Sequence, residues 1–393
     1  MGGILSDVTV VALEHVIAAP FATRQLADLG ARVIKIERPG GGDFARGYDQ
    51  RVRGLASHFV WTNRGKQSIA LDLKAPEGLE VLDRLVRRAD VVIQNLAPGA
   101  ATRLGCGYET LAAKNPSIIV CEISGYGESG PYSTKKAYDL LVQSEAGLLS
   151  VTGTPDDVVK AGISIADIAA GMYAYSSILA ALYDRTRTGR GRRIEIAMLE
   201  ALAEWMGFPL YYTFDGQEPP PRSGASHATI YPYGPFKCGD GRTVMMGLQN
   251  EPEWHAFCDM VLKRPELKAD ARFQSPVLRA TNRAALAPVI DAVFSGLPAA
   301  AVVALLDAAG IGNATMNAMR DVWAHPQLAA RDRWREMASP AGPLPTLRLP
   351  GSWTDEEAPV GAVPAVGEHT DPVLAELGYA RAEIEALRKR GIV

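Results

Sequence analysis

The strongest constraint on this chain is an alternation in its first 125 residues, where short β-branched runs are separated by segments with helical apolar spacing. Residues 8–13 (VTVVAL), 33–36 (VIKI), 68–73 (SIALDL), 90–94 (DVVIQ) and 118–123 (IIVCEI) read as five strands. Residues 21–29 place apolar side chains at helical spacing. Residues 76–88 form a second helix: Pro76 sits near its start, Glu77 and Glu80 in the first turns, and Arg84, Arg87 and Arg88 at its end, an order that complements the helix dipole. Strands alternating with helices build a parallel sheet covered on both faces, and such sheets bind ligands beyond the carboxyl ends of their strands. A site is therefore expected in the loops after Leu13, Ile36, Leu73, Gln94 and Ile123.

Further along, residues 167–186 read as a long helix rich in small residues. The TGRG punctuation at 188–191, a strand at 193–196 and a helix at 198–206 follow. The pattern then changes. The proline-rich stretch 218–223 (EPPPRS) marks a boundary. Segment 225–325 combines a strand pair around the 238–242 turn (CGDGR) with helices at 253–262 and 285–294. Segment 340–366 is rich in Pro and Gly and reads as an extended strap, and the last helix covers about residues 380–390. The expected organisation is an α/β large domain from 1–205 and 335–393, linkers at 206–224 and 326–366, and a smaller α+β domain at 225–325.

Composition removes several function classes. Forty-one basic and 44 acidic residues leave a net charge of −3, with no excess of cations to neutralise a nucleic-acid backbone. The four cysteines, Cys106, Cys121, Cys238 and Cys258, form no CxxC pair, so neither a zinc knuckle nor a disulfide framework is expected, and a reducing, cytoplasmic setting fits them. The N-terminal stretch lacks the basic and apolar regions of a signal peptide, and no run of about 18 apolar residues is present, so membrane insertion is not expected. Gly2 with Ser6 resembles a myristoylation start but lacks a second anchoring signal. The six histidines show no metal-binding spacing, and no metal site is expected. The glycines at 40–42, followed by Asp43, read as a flexible βα turn and not as a phosphate loop. The GYGESG stretch at 125–130 lacks dinucleotide spacing, and no GxSxG elbow exists.

One carboxylate stands out. Asp167 follows the apolar stretch GISIA and begins a helix of Ala, Gly and Tyr. Two readings are open from the residues alone. Asp167 caps its helix, or it is a nucleophile walled by apolar residues, with amide donors available for a developing oxyanion.

Several segments then carry a resemblance in register. HVIAAPFATRQLADLGARVIKIERPGGGD (15–43), NRGKQSIALDLKAPEG (63–78), DVVIQNLAPGAATRLG (90–105), ISGYGESGPY (123–132) and GEHTDPVLAELG (367–378) resemble the family III CoA-transferases. That family includes formyl-CoA:oxalate and carnitine CoA-transferases, dicarboxylate CoA-transferases and, as a divergent branch, α-methylacyl-CoA racemase. The resemblance implies a Rossmann-like large domain completed by C-terminal residues, and an interlocked homodimer. It implies CoA as substrate, no further cofactor, and transfer of CoA between an acyl-CoA donor and a carboxylic acid by way of Asp167. His15, Val16, Ile17, Arg38, Leu71, Lys74, Asn95, Leu96, Arg103, Lys136 and Tyr138 match the family's CoA-binding positions.

Two departures narrow the branch. The racemases place His before Asp where this chain has Tyr138-Asp139, so the alternative of an α-carbon racemase or isomerase lacks one of its proton-transfer groups. The formyl-CoA enzymes carry Gln where Ile17 stands, Glu where Asp139 stands, and a polyglycine loop absent here. Residues 222–236 (RSGASHATIYPYGPF) resemble the branch acting on C4–C5 dicarboxylates such as succinate, itaconate, mesaconate or citramalate. Arg46, Arg222 and His227 are the candidate partners of a second substrate carboxylate.

Overall fold

The computed structural model describes residues 3–351 and 360–393. Gly2, and the 352–359 part of the expected strap, lie outside the described residues. The chain divides into two compact units. The first comprises Met1–Gly147, Ala161–Gly207 and Leu328–Val393, the second Leu148–Lys160 and Phe208–Gln327.

The first unit is built on six strands: β1 (Thr9–Leu13), β2 (Arg32–Glu37), β3 (Lys66–Ala70), β4 (Val91–Gln94), β5 (Ile119–Ser124) and β6 (Arg193–Ala197). Their order is β3-β2-β1-β4-β5-β6, and every pairing is parallel. This is a doubly wound sheet whose connections reverse direction between β1 and β4, the place where such sheets open a crevice for ligands. The central strands are buried on both faces, which is why they read as continuous apolar runs. β3 departs from expectation. It starts two residues earlier, at Lys66, and ends at Ala70, because Asp72 turns away to donate its N–H to the Ile392 carbonyl before α3 (Pro76–Val86) begins.

Two apolar layers cover the sheet. On one face α1 (Ala18–Asp28) and the long helix Ile165–Thr188 pack through small residues, with Ala19, Ala22, Ala169, Ala170 and Ala174 all fully buried. Gly171 sets their approach: a Cβ there would lie 2.7 Å from the Ala18 carbonyl oxygen and 3.0 Å from the Phe21 ring. By length and composition the long helix could cross a membrane. In this unit its alanine face belongs to the core, the ordinary place for such a helix in a globular protein. On the other face Val81, Leu82 and Leu85 of α3 meet Leu374, Leu377, Ile384, Leu387 and Ile392 from the C-terminal helices Thr370–Glu376 and Arg381–Lys389. The C-terminal segment thus completes the large unit.

The proline- and glycine-rich strap contains regular structure that its composition hides. Trp334–Met337 and Leu344–Leu347 pair as an antiparallel hairpin, and Arg64 donates to the Thr346 hydroxyl at 2.8 Å.

The second unit has its own core around Trp254, Phe257, Phe294, Leu286 and Val302, beneath the antiparallel sheet Tyr233–Lys237, Thr243–Gly247 and Gly312–Thr315. The turn at 238–242 joins its first two strands, as expected. The helix expected at 253–262 starts at Glu251, where Asn250 caps the Glu253 amide, and widens to a π-helix over Phe257–Val261. Sequence places 148–160 in the large domain, whereas the structure packs it with the second unit. Gly224 donates to the Gly153 carbonyl, and Arg222 to the carbonyls of Thr154 and Pro155.

Candidate active site

The crevice between β1 and β4 is organised by their two outgoing loops. His15 donates its N–H to Asn95 Oδ1 at 2.8 Å, and Asn95 Nδ2 donates back to the His15 carbonyl at 2.9 Å. One side-chain amide therefore locks the two loops across the switch point. A cleft of about 420 Å³ opens here, lined by His15, Arg38, Leu71, Lys74 and Leu96 with Leu13, Ile36 and Pro39. Five of the eleven expected CoA-binding residues thus share one wall system. Arg38 lies flat on Phe44, 4.2 Å from the ring centre, and donates only to the Gly42 carbonyl, so among the described residues its charge has no carboxylate partner. The same holds for exposed Lys74, Arg103 and Lys136, which leaves cationic groups available for phosphate. His15 also packs against Phe44, ring centres 5.3 Å apart and tilted by 59°, its Nδ1 buried without a partner among the described residues. Burial pulls its pKa down, so the ring is neutral. Gly391 lines this cleft as well, a contribution no motif announced.

Past His15 the chain makes an unusual turn. Val16 has φ 66°, a left-handed conformation that costs a β-branched residue on the order of 1–3 kcal/mol. The Asp43 carboxylate holds it there, accepting from the Val16 N–H at 3.1 and 3.3 Å. Ile17 is buried, and α1 begins at Ala18.

Asp167 sits one helical turn before Gly171, the residue that packs against Ala18, and so lies on the same face of the helix. Its helix starts at Ile165 with Ser164 as the flanking residue, whose own side chain makes no capping hydrogen bond. The capping interpretation of Asp167 therefore falls. The carboxylate that satisfies this helix start is Asp139, whose Oδ1 accepts from the Ala166 N–H at 2.8 Å and whose Oδ2 accepts from Gln143 at 2.6 Å. Asp167 itself, half-buried, has no hydrogen bond or ion pair among the described residues. Burial, and then the charge of Asp139, push its pKa up to about 7. A bare carboxylate poised near neutrality is a nucleophile in waiting. Tyr138, 70% exposed, precedes Asp139. The pKa of the Tyr48 phenol is raised by burial and by the charges of Asp43, Asp167 and Tyr138.

The three residues expected to bind a second carboxylate differ in what already holds them. Arg46 is committed to a two-point ion pair with Glu37, at 2.8 and 2.7 Å, and lies over Phe59. His227 and Arg222 belong to the second unit. His227 Nδ1 accepts from the Thr229 and Ile230 amides and its ring stacks on Tyr233. Arg222 has no carboxylate partner among the described residues and lines a shallow cleft with Arg283. No group of three or more metal-binding side chains is present among the described residues.

The family model for CoA-transferase family III matches residues 5–370. The mouse (Mus musculus) succinyl-CoA:glutarate CoA-transferase is 34% identical over 99% of this chain and 90% of its own length. The succinyl-CoA:mesaconate CoA-transferase of Haloarcula marismortui is 32% identical over 96% of this chain and 97% of its own. A CaiB/BaiF family protein from Brucella suis, known from its crystal structure, superposes with a TM-score of 0.84 at 33% identity, covering 96% of this chain and all of that one. A doubly wound sheet, a cleft at its switch point that carries Arg38 and Lys74, and full-length similarity agree, and the chain belongs to CoA-transferase family III.

Proposed function

We propose that this CoA-transferase moves CoA between C4–C5 dicarboxylic acids, with Asp167 as the acyl carrier. The single observation that supports Asp167 is its isolation: it is half-buried at a helix start with no partner for its carboxylate. The Asp167 carboxylate attacks the thioester carbonyl of the donor and expels CoA thiolate, giving a mixed anhydride. The thiolate attacks the aspartyl carbonyl, releases the donor acid and leaves an aspartyl-CoA thioester. The acceptor carboxylate attacks that thioester, expels the thiolate and forms a second anhydride. The thiolate then takes the acceptor acyl group, and Asp167 is free again. Bonds and charges balance, because the thioester supplies the activation and CoA returns to an acyl group. Family members take CoA as substrate and need no additional cofactor.

The dicarboxylate class is supported by the relatives named for succinyl-CoA with glutarate or mesaconate. Among the earlier candidates for a second carboxylate, Arg222 has no carboxylate partner among the described residues, whereas Arg46 is already paired. The protein acts as a homodimer in this reading: Phe208, Leu210, Tyr211 and Phe214 are 59–79% exposed, an apolar run that a second copy would cover. A reducing cytoplasm suits the four cysteines, which are free and buried.

The deciding experiment offers succinyl-CoA with a panel of mono- and dicarboxylic acids and identifies the CoA esters by mass spectrometry. Transfer to C4–C5 dicarboxylates is expected, together with hydroxylamine trapping at Asp167. Acceptance of monocarboxylates alone would overturn the substrate class, and an active Asp167→Ala enzyme would overturn the carrier.

A further inference from the structure

We propose that Asp43, clamped by the buried Lys35, is a positioning residue for the transfer reaction: it holds the left-handed turn at Val16 that sets the start of α1 beside Asp167. The proposal rests on the reading of Asp167 as acyl carrier.

Asp43 ends the glycine turn after β2 and is itself buried. Besides the Val16 N–H, its carboxylate accepts from the Ala45 N–H at 2.9 Å and from the Lys35 ammonium at 2.8 Å. Lys35 lies 3.3 Å from Glu14 Oε1, and Lys66 donates to the same oxygen at 2.6 Å. The side chains of Lys35, Asp43, Glu14 and Lys66 are completely shielded from solvent. Two lysine amines and two carboxylates thus form one buried cluster beneath the carboxyl edge of β1, β2 and β3.

The cluster grips the catalytic turn at three places. Glu14 anchors its beginning, immediately before His15. Asp43 holds its middle at Val16. At its far end Lys66 donates to the Pro20 carbonyl at 3.0 Å, and the Thr23 hydroxyl donates to Glu14 Oε2 at 2.7 Å. The turn so held leads into the first amides of α1, which lack partners as at any helix start.

Stability alone does not account for this arrangement. Apolar side chains of similar volume commonly serve a core as well as a buried ion cluster does. Directional charge is needed where a backbone must be kept in a conformation its own side chain disfavours, and Val16 is that place. Two carboxylates then have opposite tasks in this reading, and both raise the pKa of the Tyr48 phenol. Asp43, despite its burial, is held at a pKa of about 2 by Lys35 and by the Ala45 and Val16 amides, and is a permanent anion.

The test compares Asp43→Asn with the unaltered enzyme, and Val16→Gly/Asp43→Asn with Val16→Gly. Single-turnover acylation of Asp167 by succinyl-CoA, kcat, and KM for succinyl-CoA are measured in each. Glycine accepts positive φ without steric cost, so it relieves the need for the clamp. Asp43→Asn is expected to slow acylation and kcat roughly 30- to 100-fold with KM within about threefold, as misplacement of reacting groups does. In the Val16→Gly background the same change should cost less than about fivefold. Equal losses in both backgrounds, or normal acylation by Asp43→Asn, would overturn the positioning role. Should the unbalanced Asp43→Asn chain not fold, Lys35→Met/Asp43→Asn removes one charge of each sign and carries the same comparison. Asp167→Ala runs alongside: if it still transfers CoA, the carrier assignment fails, and if it is inert while Asp43→Asn acylates normally, only the clamp fails.

Discussion

Two acidic neighbourhoods lie close together in the large unit and are treated in opposite ways. Under β1 to β3 every buried charge has a counter-charge: Lys35 with Asp43 and Glu14, Lys66 with Glu14, Arg46 with Glu37. At the start of the long helix Asp167 has none, and its one charged neighbour, Asp139, repels it. The contrast shows pairing used where the backbone must stay fixed and withheld where a carboxylate must react. A fully paired Asp167 would have its lone pairs occupied and its basicity lowered, and would attack a thioester poorly.

The largest effect that tests this contrast is the loss of Asp167. Asp167→Ala is expected to lower turnover on the order of 10⁴-fold or more while the protein stays folded, checked by steady-state kinetics and sedimentation. In the paired neighbourhood the reverse is expected. Lys35→Met leaves two buried carboxylates sharing one ammonium and should destabilise the protein by about 3–5 kcal/mol in denaturant unfolding.

Acidity sharpens the comparison further. Protonation disarms the nucleophile, so kcat/KM should fall about tenfold per pH unit below pH ~7. Asp139→Asn removes the repelling charge but keeps an acceptor for the Ala166 N–H, and the acid limb should move to lower pH. Because the pKa of Asp167 is raised on folding, the folded protein gives up stability as pH rises from about 4 to about 7. Asp167→Asn should therefore melt higher than the unaltered enzyme at pH 8, by roughly 2–5 °C, with the gap closing near pH 4. Arg38→Ala should raise KM for acyl-CoA roughly tenfold with kcat nearly unchanged, since its charge is unpaired and lines the cleft.

The parallel sheet was legible in the sequence because its strands are buried on both faces and appear as unbroken apolar runs; β1, β2, β4 and β5 lie within a residue of where those runs begin and end. The ligand crevice was legible too, since strand ends define it. The buried charge cluster was not. Lys35 sits inside VIKI and looks like the polar position of an alternating strand, and its partners are 21 residues before it and 8 after it. No local pattern signals that all of them point into one interior. Asp43 passed as the end of a flexible glycine turn for the same reason. Asp167 was singled out by the apolar stretch before it, but its freedom from capping depends on Asp139, 27 residues before Ala166 in sequence, which takes the Ala166 amide instead. The hairpin at Trp334–Met337 and Leu344–Leu347 was obscured by prolines within it, which an edge pairing tolerates.

The interlayer contact between α3 and the C-terminal helices has a consequence for how the chain is made. All six strands of the sheet have left the ribosome about 180 residues before the helix Arg381–Lys389 appears. At 5–20 residues per second, Val81, Leu82 and Leu85 wait on the order of 10–40 s for their cover. During that interval the nascent sheet presents an oily flank, so translation speed and chaperone supply should govern the yield of active enzyme.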